Sequence, residues 1–72
     1  MARYKVTPRL NKILEERGWK QKDLAAKAGT TEATISRFDR QNRYDIETLV
    51  IISRALGLSI EDLFIIEENN EE

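Results

Sequence analysis

The first part of the chain carries apolar side chains at the spacing of an α-helix. Three of them, related by steps of three and four residues, would share one helical face: Leu10, Ile13 and Leu14. Thr7 is a residue type that caps helices, Pro8 suits the first helical position, and Gly18 is typical of the end of a helix. The pattern therefore predicts a first helix over about residues 8–17, preceded by a short strand or loose arm over residues 1–6.

Two further short helices are predicted on either side of Gly29, a residue that commonly ends helices. The second helix begins at Lys20 or Gln21, and its inward face holds Leu24, Ala25 and Ala28. The third helix covers residues 31–39, with Thr31 as its expected cap. Its inward face holds Ile35 and Phe38. This segment is therefore predicted to be two helices joined by a glycine turn.

The rest of the chain predicts two more helices and a strand. Asp45 is the expected cap of a fourth helix, which ends at a glycine. Ser59 and Asp62 have the spacing of a capping box, which predicts the start of a short fifth helix. The β-prone residues 64–66 are then predicted to form a strand that pairs with residues 3–6 in a small antiparallel sheet.

These elements predict an all-α fold of five helices, with short terminal β-strands as a further option. A chain of 72 residues is one small domain, and the elements place that domain over residues 7–66. Residues 67–72 are acidic and polar, and they are predicted to be a disordered tail. Because a domain of this size needs nearly all its apolar residues for one core, little room remains for a deep substrate pocket.

Composition excludes several chemistries. The chain has no Cys and no His, which excludes disulfides, zinc sites and thiol or imidazole catalysis. It also lacks a glycine-rich phosphate loop, so we expect no enzyme activity, no cofactor and no metal. The longest apolar runs, residues 49–52 and 63–66, are too short to span a membrane. No apolar stretch follows the basic residues at the start, so a cytoplasmic protein is expected.

Charge is divided unevenly along the chain. The formal net charge is −1, which alone argues against nucleic-acid binding. However, all twelve Lys and Arg lie within residues 1–60, together with only seven Asp and Glu, so this part has a net charge of +5. Residues 61–72 carry six acidic residues and no basic one. A basic body with an acidic tail is compatible with phosphate binding, although the tail alone is equally compatible with a role in solubility.

The third predicted helix meets the requirements of a helix that reads DNA, because its inward face is apolar and its outward face is small and polar. A longer pattern surrounds this helix and includes it: Gln21, Leu24, Ala25, Gly29, Thr31, Ile35, Ser36, Phe38 and Asp39, then Thr48, Leu49 and the run Ala55-Leu56-Gly57-Leu58-Ser59. Over roughly residues 8–64 the chain resembles the lambda-repressor-like, Cro-like helix-turn-helix family. The resemblance implies a prokaryotic or phage transcriptional regulator, expected to be a repressor, that binds double-stranded DNA as a homodimer.

The resemblance also assigns roles to individual residues. Glu32 and Ala33 fall on two base-reading positions at the start of the third helix, Arg37 falls on another one turn later, and Ser36 shares their face. Arg can bind guanine O6 and N7, Glu can accept from cytosine N4, and the Ala methyl can touch that of thymine. For Glu32 a plain first-turn role is the alternative, because a carboxylate suits a helix N-terminus. For Arg37 the alternatives are a phosphate contact and an ion pair.

Phosphate contacts are expected from residues in and around the third helix, namely Lys20, Gln21, Thr31, Thr34, Arg40, Asn42, Arg43 and Tyr44. The alternatives are a plain helix-start role for Gln21 and a solvated polar loop over residues 40–43. Tyr44 has a second interpretation, in which its ring covers the edge of the core. Asn42 is expected to adopt the left-handed turn conformation, because no glycine occurs in this loop. Asp39 is expected either to find another partner or to stay solvated, because Leu14 stands where some family members have an Arg.

Surplus apolar residues indicate self-association. The residues not needed for the inward faces are Val50, Ile51, Phe64, Ile65 and Ile66, and we expect them to form a homodimer interface. The alternative is that they close the core of a single chain. A different class of function also stays open, in which the scaffold is a protein-interaction module, such as an antitoxin or an antirepressor target, with a regulatory protein as its partner.

Overall fold

The computed structural model describes residues 3–68. One strand precedes the helices along the chain and one follows them. In chain order the elements are β1 (Tyr4–Pro8), α1 (Leu10–Arg17), α2 (Gln21–Ala28), α3 (Glu32–Arg37), a first 3-10 helix (Phe38–Arg40), α4 (Ile46–Leu56), a second 3-10 helix (Glu61–Leu63) and β2 (Phe64–Glu68). Within these residues none of the helices has the length and apolar character needed to cross a membrane.

The fifth helix is the main difference from the predicted architecture. The capping box forms: the Ser59 backbone N donates to Asp62 Oδ2 at 3.2 Å, and Asp62 N donates to Ser59 Oγ at 3.3 Å. The helix that follows is only one 3-10 turn, because the β-prone segment after Leu63 leaves at once as β2. The part of the chain that is described therefore has four α-helices, not five.

The first helix begins later than predicted. Thr7 and Pro8 lie in β1, and α1 starts at Leu10 with Arg9 as its N-cap residue. The Arg9 N donates to the Leu63 carbonyl at 3.0 Å, which keeps the chain extended up to that residue. Consequently neither Thr7 nor Pro8 has the helical role that the sequence indicated for it.

The two strands form a two-stranded antiparallel ribbon, as the pairing of residues 3–6 with 64–66 predicted. Its register runs from Tyr4 opposite Glu68 to Pro8 opposite Phe64. Both strands are longer than expected, so Glu67 and Glu68 belong to β2 and not to a disordered tail. The remainder of the predicted tail, and the first residues of the predicted arm, lie outside the described residues.

The core is built from one to three side chains of each helical element. Six fully buried side chains form its centre: Phe38, Leu10, Leu24, Ile35, Ile52 and Leu63. Around Phe38 the aromatic rings cluster, with centroids 4.7 Å from Tyr44 and 5.7 Å from Phe64. This cluster joins the end of α3, the following loop and the start of β2, and so fixes α3 relative to the ribbon.

The turn between α2 and α3 depends on Gly29. Its φ angle is +76°, in the left-handed region that glycine adopts without strain, and its N–H donates to the Ala25 carbonyl at 2.9 Å. The expectation of the same conformation at Asn42 is wrong, because no non-glycine residue within residues 3–68 has a positive φ. The chain after α3 instead turns through the first 3-10 helix, which ends in extended backbone at Gln41.

Candidate nucleic-acid interface

The N-terminus of α3 is held by Thr31, as the sequence predicted. Thr31 has extended backbone angles, and its Oγ1 accepts a hydrogen bond from the Thr34 backbone N at 3.2 Å. The two threonine hydroxyls also lie 2.9 Å apart and share a hydrogen bond. These bonds lie within the first turn of α3 and fix the start of the helix. They therefore also fix the direction in which the neighbouring side chains extend.

The two faces of α3 differ as a DNA-reading helix requires. Ile35 is fully buried, and Phe38, directly after α3, is nearly so. The predicted base-reading residues Glu32, Ala33 and Arg37 are exposed, whereas Ser36 is half-buried. The inward side chains anchor the helix on the core, so the exposed ones are presented on a rigid element.

A cleft of about 620 Å³ opens beside the start of α3, between α1 and α2. It brings together predicted DNA-binding residues from two helices, because Lys20, Gln21 and Glu32 all line it. Lys20 has no acceptor to cap α2, and the Asp23 carboxylate instead accepts from the Lys20 backbone N at 2.9 Å. The Lys20 ammonium group is exposed and does not serve as that cap.

Asn11 is a residue of this cleft that the sequence did not indicate. Gln21 Nε2 donates to Asn11 Oδ1 at 3.0 Å, which fixes the amide of Gln21 at the start of α2. This bond leaves the second Gln21 Nε2 hydrogen, the Gln21 side-chain carbonyl oxygen and the Asn11 side-chain amide hydrogens available to a ligand. A polar residue on the outer side of a helix is common, so no local pattern distinguishes Asn11 from its neighbours.

A second, smaller cleft of about 280 Å³ lies at the other end of α3, against the start of α4. Arg37 lines it, so a predicted base-reading residue shares a cleft with three predicted phosphate-binding residues, Thr34, Arg43 and Tyr44. Gln41, Asp45 and Thr48 also line it and were not predicted as site residues. Two guanidinium groups and one carboxylate, that of Asp45, lie at this polar cleft, so its charge is positive on balance and suits an anion. The remaining predicted loop residues, Arg40 and Asn42, are exposed and lie outside it.

Tyr44 has its hydroxyl group bonded within the protein. Tyr44 Oη lies 2.6 Å from the Phe38 carbonyl oxygen and 2.8 Å from that of Gln41, so its one proton is shared between two backbone acceptors. Burial, and secondly the negative charge of Asp39, raises the pKa of Tyr44, which keeps this proton in place. Of the two interpretations of Tyr44, the geometry favours the one in which it closes the core edge and braces the loop.

Asp39 finds its partners at the N-terminus of α1. Its Oδ1 accepts from the Leu10 backbone N and its Oδ2 from the Asn11 backbone N, both at 2.9 Å. The carboxylate thus satisfies two amides that a helix start leaves free, at the end where the helix dipole favours negative charge. Because Asp39 directly follows Phe38 after α3, this contact couples the position of α3 to α1.

The predicted dimer residues fall into two groups. Val50, Ile51 and Phe64 are half-buried, and Ile51 and Phe64 pack against the core of their own chain, as the single-chain alternative expects. Ile65 and Ile66 are exposed. Further exposed apolar side chains, which the sequence did not assign to an interface, are Tyr4, Val6, Ile46 and Ile60.

The geometry of α2, the Gly29 turn and α3 defines a helix-turn-helix, with the second helix exposed along its polar face. A family model described as the Cro/C1-type HTH DNA-binding domain matches residues 9–69. The chain therefore belongs to this family of helix-turn-helix DNA-binding domains, as the resemblance indicated. Searches of curated proteins and of solved structures gave no significant match.

Proposed function

We propose that this protein is a sequence-specific transcriptional regulator that reads the major groove of double-stranded DNA with α3, as a homodimer. The observation that carries the proposal is the geometry of α3, whose apolar side is fixed in the core while Glu32, Ala33 and Arg37 are exposed. At an operator that overlaps a promoter, such binding would block transcription, so the expected role is that of a repressor.

Base reading would use the outward face of α3. In this arrangement Ala33 contacts a thymine methyl, Glu32 accepts from a cytosine amino group, and Arg37 donates to guanine O6 and N7. Ser36 is half-buried and could contribute one hydroxyl from the same face. The helix N-terminus would approach the bases first, which is the usual orientation of a recognition helix in this fold class.

Phosphate contacts would come from the two clefts beside α3. At the first cleft, Lys20 and Gln21 would bind one strand, with Asn11 holding the Gln21 amide in place. At the second cleft, Arg43 would bind the other strand together with Thr34. Arg40 and Asn42 are exposed close by. The Thr31 hydroxyl can donate its proton to a phosphate oxygen when Thr34 is the donor of the bond between the two hydroxyls, and nearby backbone N–H groups can donate as well.

A homodimer is part of the proposal, because one recognition helix reads only a few base pairs. The exposed apolar side chains of the ribbon, Tyr4, Val6, Ile65 and Ile66, support self-association. The same surface also favours a second candidate, a protein-interaction module. Specific 1:1 binding of a purified protein partner, together with no retention on DNA at low salt, would support that candidate instead.

Selection of bound duplexes from a random library tests the proposed function directly. We expect enrichment of one short sequence that occurs twice with two-fold symmetry, its centres about 34 Å apart, which is roughly one turn of DNA. Recovery of duplexes without any enriched sequence would contradict sequence-specific reading by α3. Enrichment of a single half-site would support the reading of DNA and contradict the dimer.

Replacing Arg43 with Ala is expected to weaken DNA binding and to lower its salt dependence. If Arg43 neutralises one phosphate, the slope of log K against log salt concentration should become less steep by about one unit. The effect should be similar for all operator variants, because phosphates carry no sequence information. Titrations of labelled operator at several salt concentrations measure this slope.

Lys5→Ala is the matched control for Arg43→Ala. It removes the same charge from β1, outside the two clefts beside α3. Lys5 lies opposite Glu67 in the ribbon, and its loss should leave the slope nearly unchanged. Equal changes in slope for the two variants would mean that net charge, and not a contact from Arg43, causes the effect.

A further inference from the structure

The loop of residues 41–45, between the first 3-10 helix and α4, has few hydrogen bonds in its backbone. At its start the Gln41 N–H donates to the Phe38 carbonyl at 3.5 Å, which is long for such a bond. In the part of the chain that is described, no backbone hydrogen bond involves residues 42–44. A backbone held by so few bonds opens easily unless side chains hold it in place.

The side chain of Tyr44 ties this loop to the core. Its hydroxyl group lies 2.6 Å from the Phe38 carbonyl oxygen, at the end of α3, and 2.8 Å from the Gln41 carbonyl oxygen, at the start of the loop. The ring is fixed as well, because its centroid lies 4.7 Å from that of Phe38 and 5.5 Å from that of Phe64. The hydroxyl is therefore a fixed point that joins both ends of the segment 41–44 to the end of α3.

The same stretch of chain carries side chains that are expected to bind DNA phosphates. Arg43 directly precedes Tyr44, and both residues line the second cleft beside α3. Arg40 and Asn42 are exposed close to them. A loop that is already ordered in the free protein loses less conformational entropy when it binds, so its order contributes to affinity.

We propose that Tyr44 is a positioning residue for the phosphate contact of Arg43, and that it acts through its hydroxyl group without touching DNA. The inference rests on the proposed function, because the phosphate contact of Arg43 comes from there. The single hydroxyl proton is already shared between two carbonyl oxygens, so none is left to donate to a phosphate. The direct phosphate contact expected for Tyr44 from the sequence thereby becomes an indirect one.

Tyr44→Phe tests the proposal, because it removes the hydroxyl group and keeps the ring in the aromatic cluster. NMR relaxation of the free protein measures the order of the loop at the Asn42 and Arg43 amides, without any DNA. We expect their order parameters to fall from about 0.85, the value of a rigid backbone, to below about 0.6. Unchanged order parameters would overturn the proposal, because the hydroxyl would then not fix the loop.

Tyr4→Phe is the matched control. Tyr4 is the only other tyrosine of the chain, and it is 53% exposed on β1, outside the loop and both clefts. The control removes the same hydroxyl group, and the order parameters of the loop should equal those of the parent protein. Urea denaturation of both variants identifies conditions in which each is fully folded, so that a change in loop order is not partial unfolding.

Operator binding under those conditions is the functional test. Loss of a hydrogen bond that orders the loop should weaken the binding of Tyr44→Phe by about two- to tenfold. The order of operator variants should stay as in the parent, because a phosphate contact carries no sequence information. Tyr4→Phe should bind like the parent. Parent affinity in Tyr44→Phe, or a changed order of the operator variants, would overturn the proposal.

A double-mutant cycle identifies the residue through which Tyr44 acts. In the background of Arg43→Ala, Tyr44→Phe should change the affinity by less than about twofold, because the contact that it positions is gone. In the background of Lys20→Ala the full effect should remain, since Lys20 lies at the first cleft. Equal effects in both backgrounds would show that Tyr44 acts on the whole fold or touches DNA itself, and would overturn the proposal.

Failure of this inference differs from failure of the proposed function. If the parent enriches an operator while Tyr44→Phe keeps its affinity or its loop order, α3 reads DNA and only the role of Tyr44 is wrong. If the parent binds no duplex, the proposed function is wrong, and the inference fails with it whatever the order of the loop.

Discussion

Replacing Phe38 with Ala is expected to lower the free energy of unfolding by about 3–5 kcal/mol, the usual cost of truncating a buried aromatic side chain. Phe38 is only 1% exposed, and its ring lies against those of Tyr44 and Phe64. Aromatic pairs of this kind contribute about 0.5–1.5 kcal/mol beyond the burial of their area. A domain of this length typically has a total stability of only about 4–11 kcal/mol.

The position of Phe38 makes its loss a functional change as well. The next residue, Asp39, holds the start of α1, and the Phe38 carbonyl accepts from the Tyr44 hydroxyl. A cavity at this point should therefore loosen α3, the following loop and the ribbon together. Urea denaturation of the purified variant measures the loss, with a decrease in midpoint at unchanged slope as the expected sign.

Tyr4→Ala is the control for Phe38→Ala. Tyr4 is also aromatic, but it is 53% exposed on β1, so its truncation should cost well under the core value, about 0.5 kcal/mol. Similar losses for the two variants would contradict the view that the ring cluster around Phe38 organises the fold. A loss of less than about 1 kcal/mol at Phe38 would contradict it too.

Features fixed by neighbouring residues could be predicted from the sequence. The ends of three helices at Gly18, Gly29 and Gly57, and the Thr31 cap, follow from backbone preferences and short-range hydrogen bonds. The start of α1 could not be predicted in the same way. Its first amides bind Asp39, which is 28 and 29 residues away along the chain, and this partner shifts the helix start away from Thr7 and Pro8.

The exposed side chains of the candidate site could be predicted from the sequence. The hydrogen bonds that hold the site together could not. The helical period alone places Ala33 and Arg37 on the side opposite Ile35, and the structure has both exposed. Glu32 lies three residues before Ile35, and it is exposed at the start of the helix. The bond between Gln21 and Asn11 joins two helices, and so does not appear in any local pattern. Tyr44 shows the same limit, because only the folded loop brings its hydroxyl to two carbonyl groups.

Arg37 has two possible roles in DNA binding, a base contact and a phosphate contact. The resemblance places it on a base-reading position, yet it lines the same cleft as Arg43, a predicted phosphate ligand. The two roles have different consequences. A base contact changes the ranking of DNA sequences, whereas a phosphate contact weakens all of them equally.

Replacing Arg37 with Ala is therefore expected to relax specificity at one base pair of each half-site. Loss of a bidentate contact to guanine should reduce discrimination at that pair by about 1–3 kcal/mol, which is roughly a 5- to 150-fold change in relative affinity. Competition of single-base operator variants against the parent operator measures it, for the parent protein and for the variant. Arg43→Ala, which should lower affinity without changing the order of the variants, is the matched control. If Arg37→Ala also leaves that order unchanged, Arg37 does not read a base, and sequence reading by α3 depends on Glu32, Ala33 and Ser36. A uniform loss of affinity would then indicate a phosphate contact, and an unchanged affinity would indicate an ion pair.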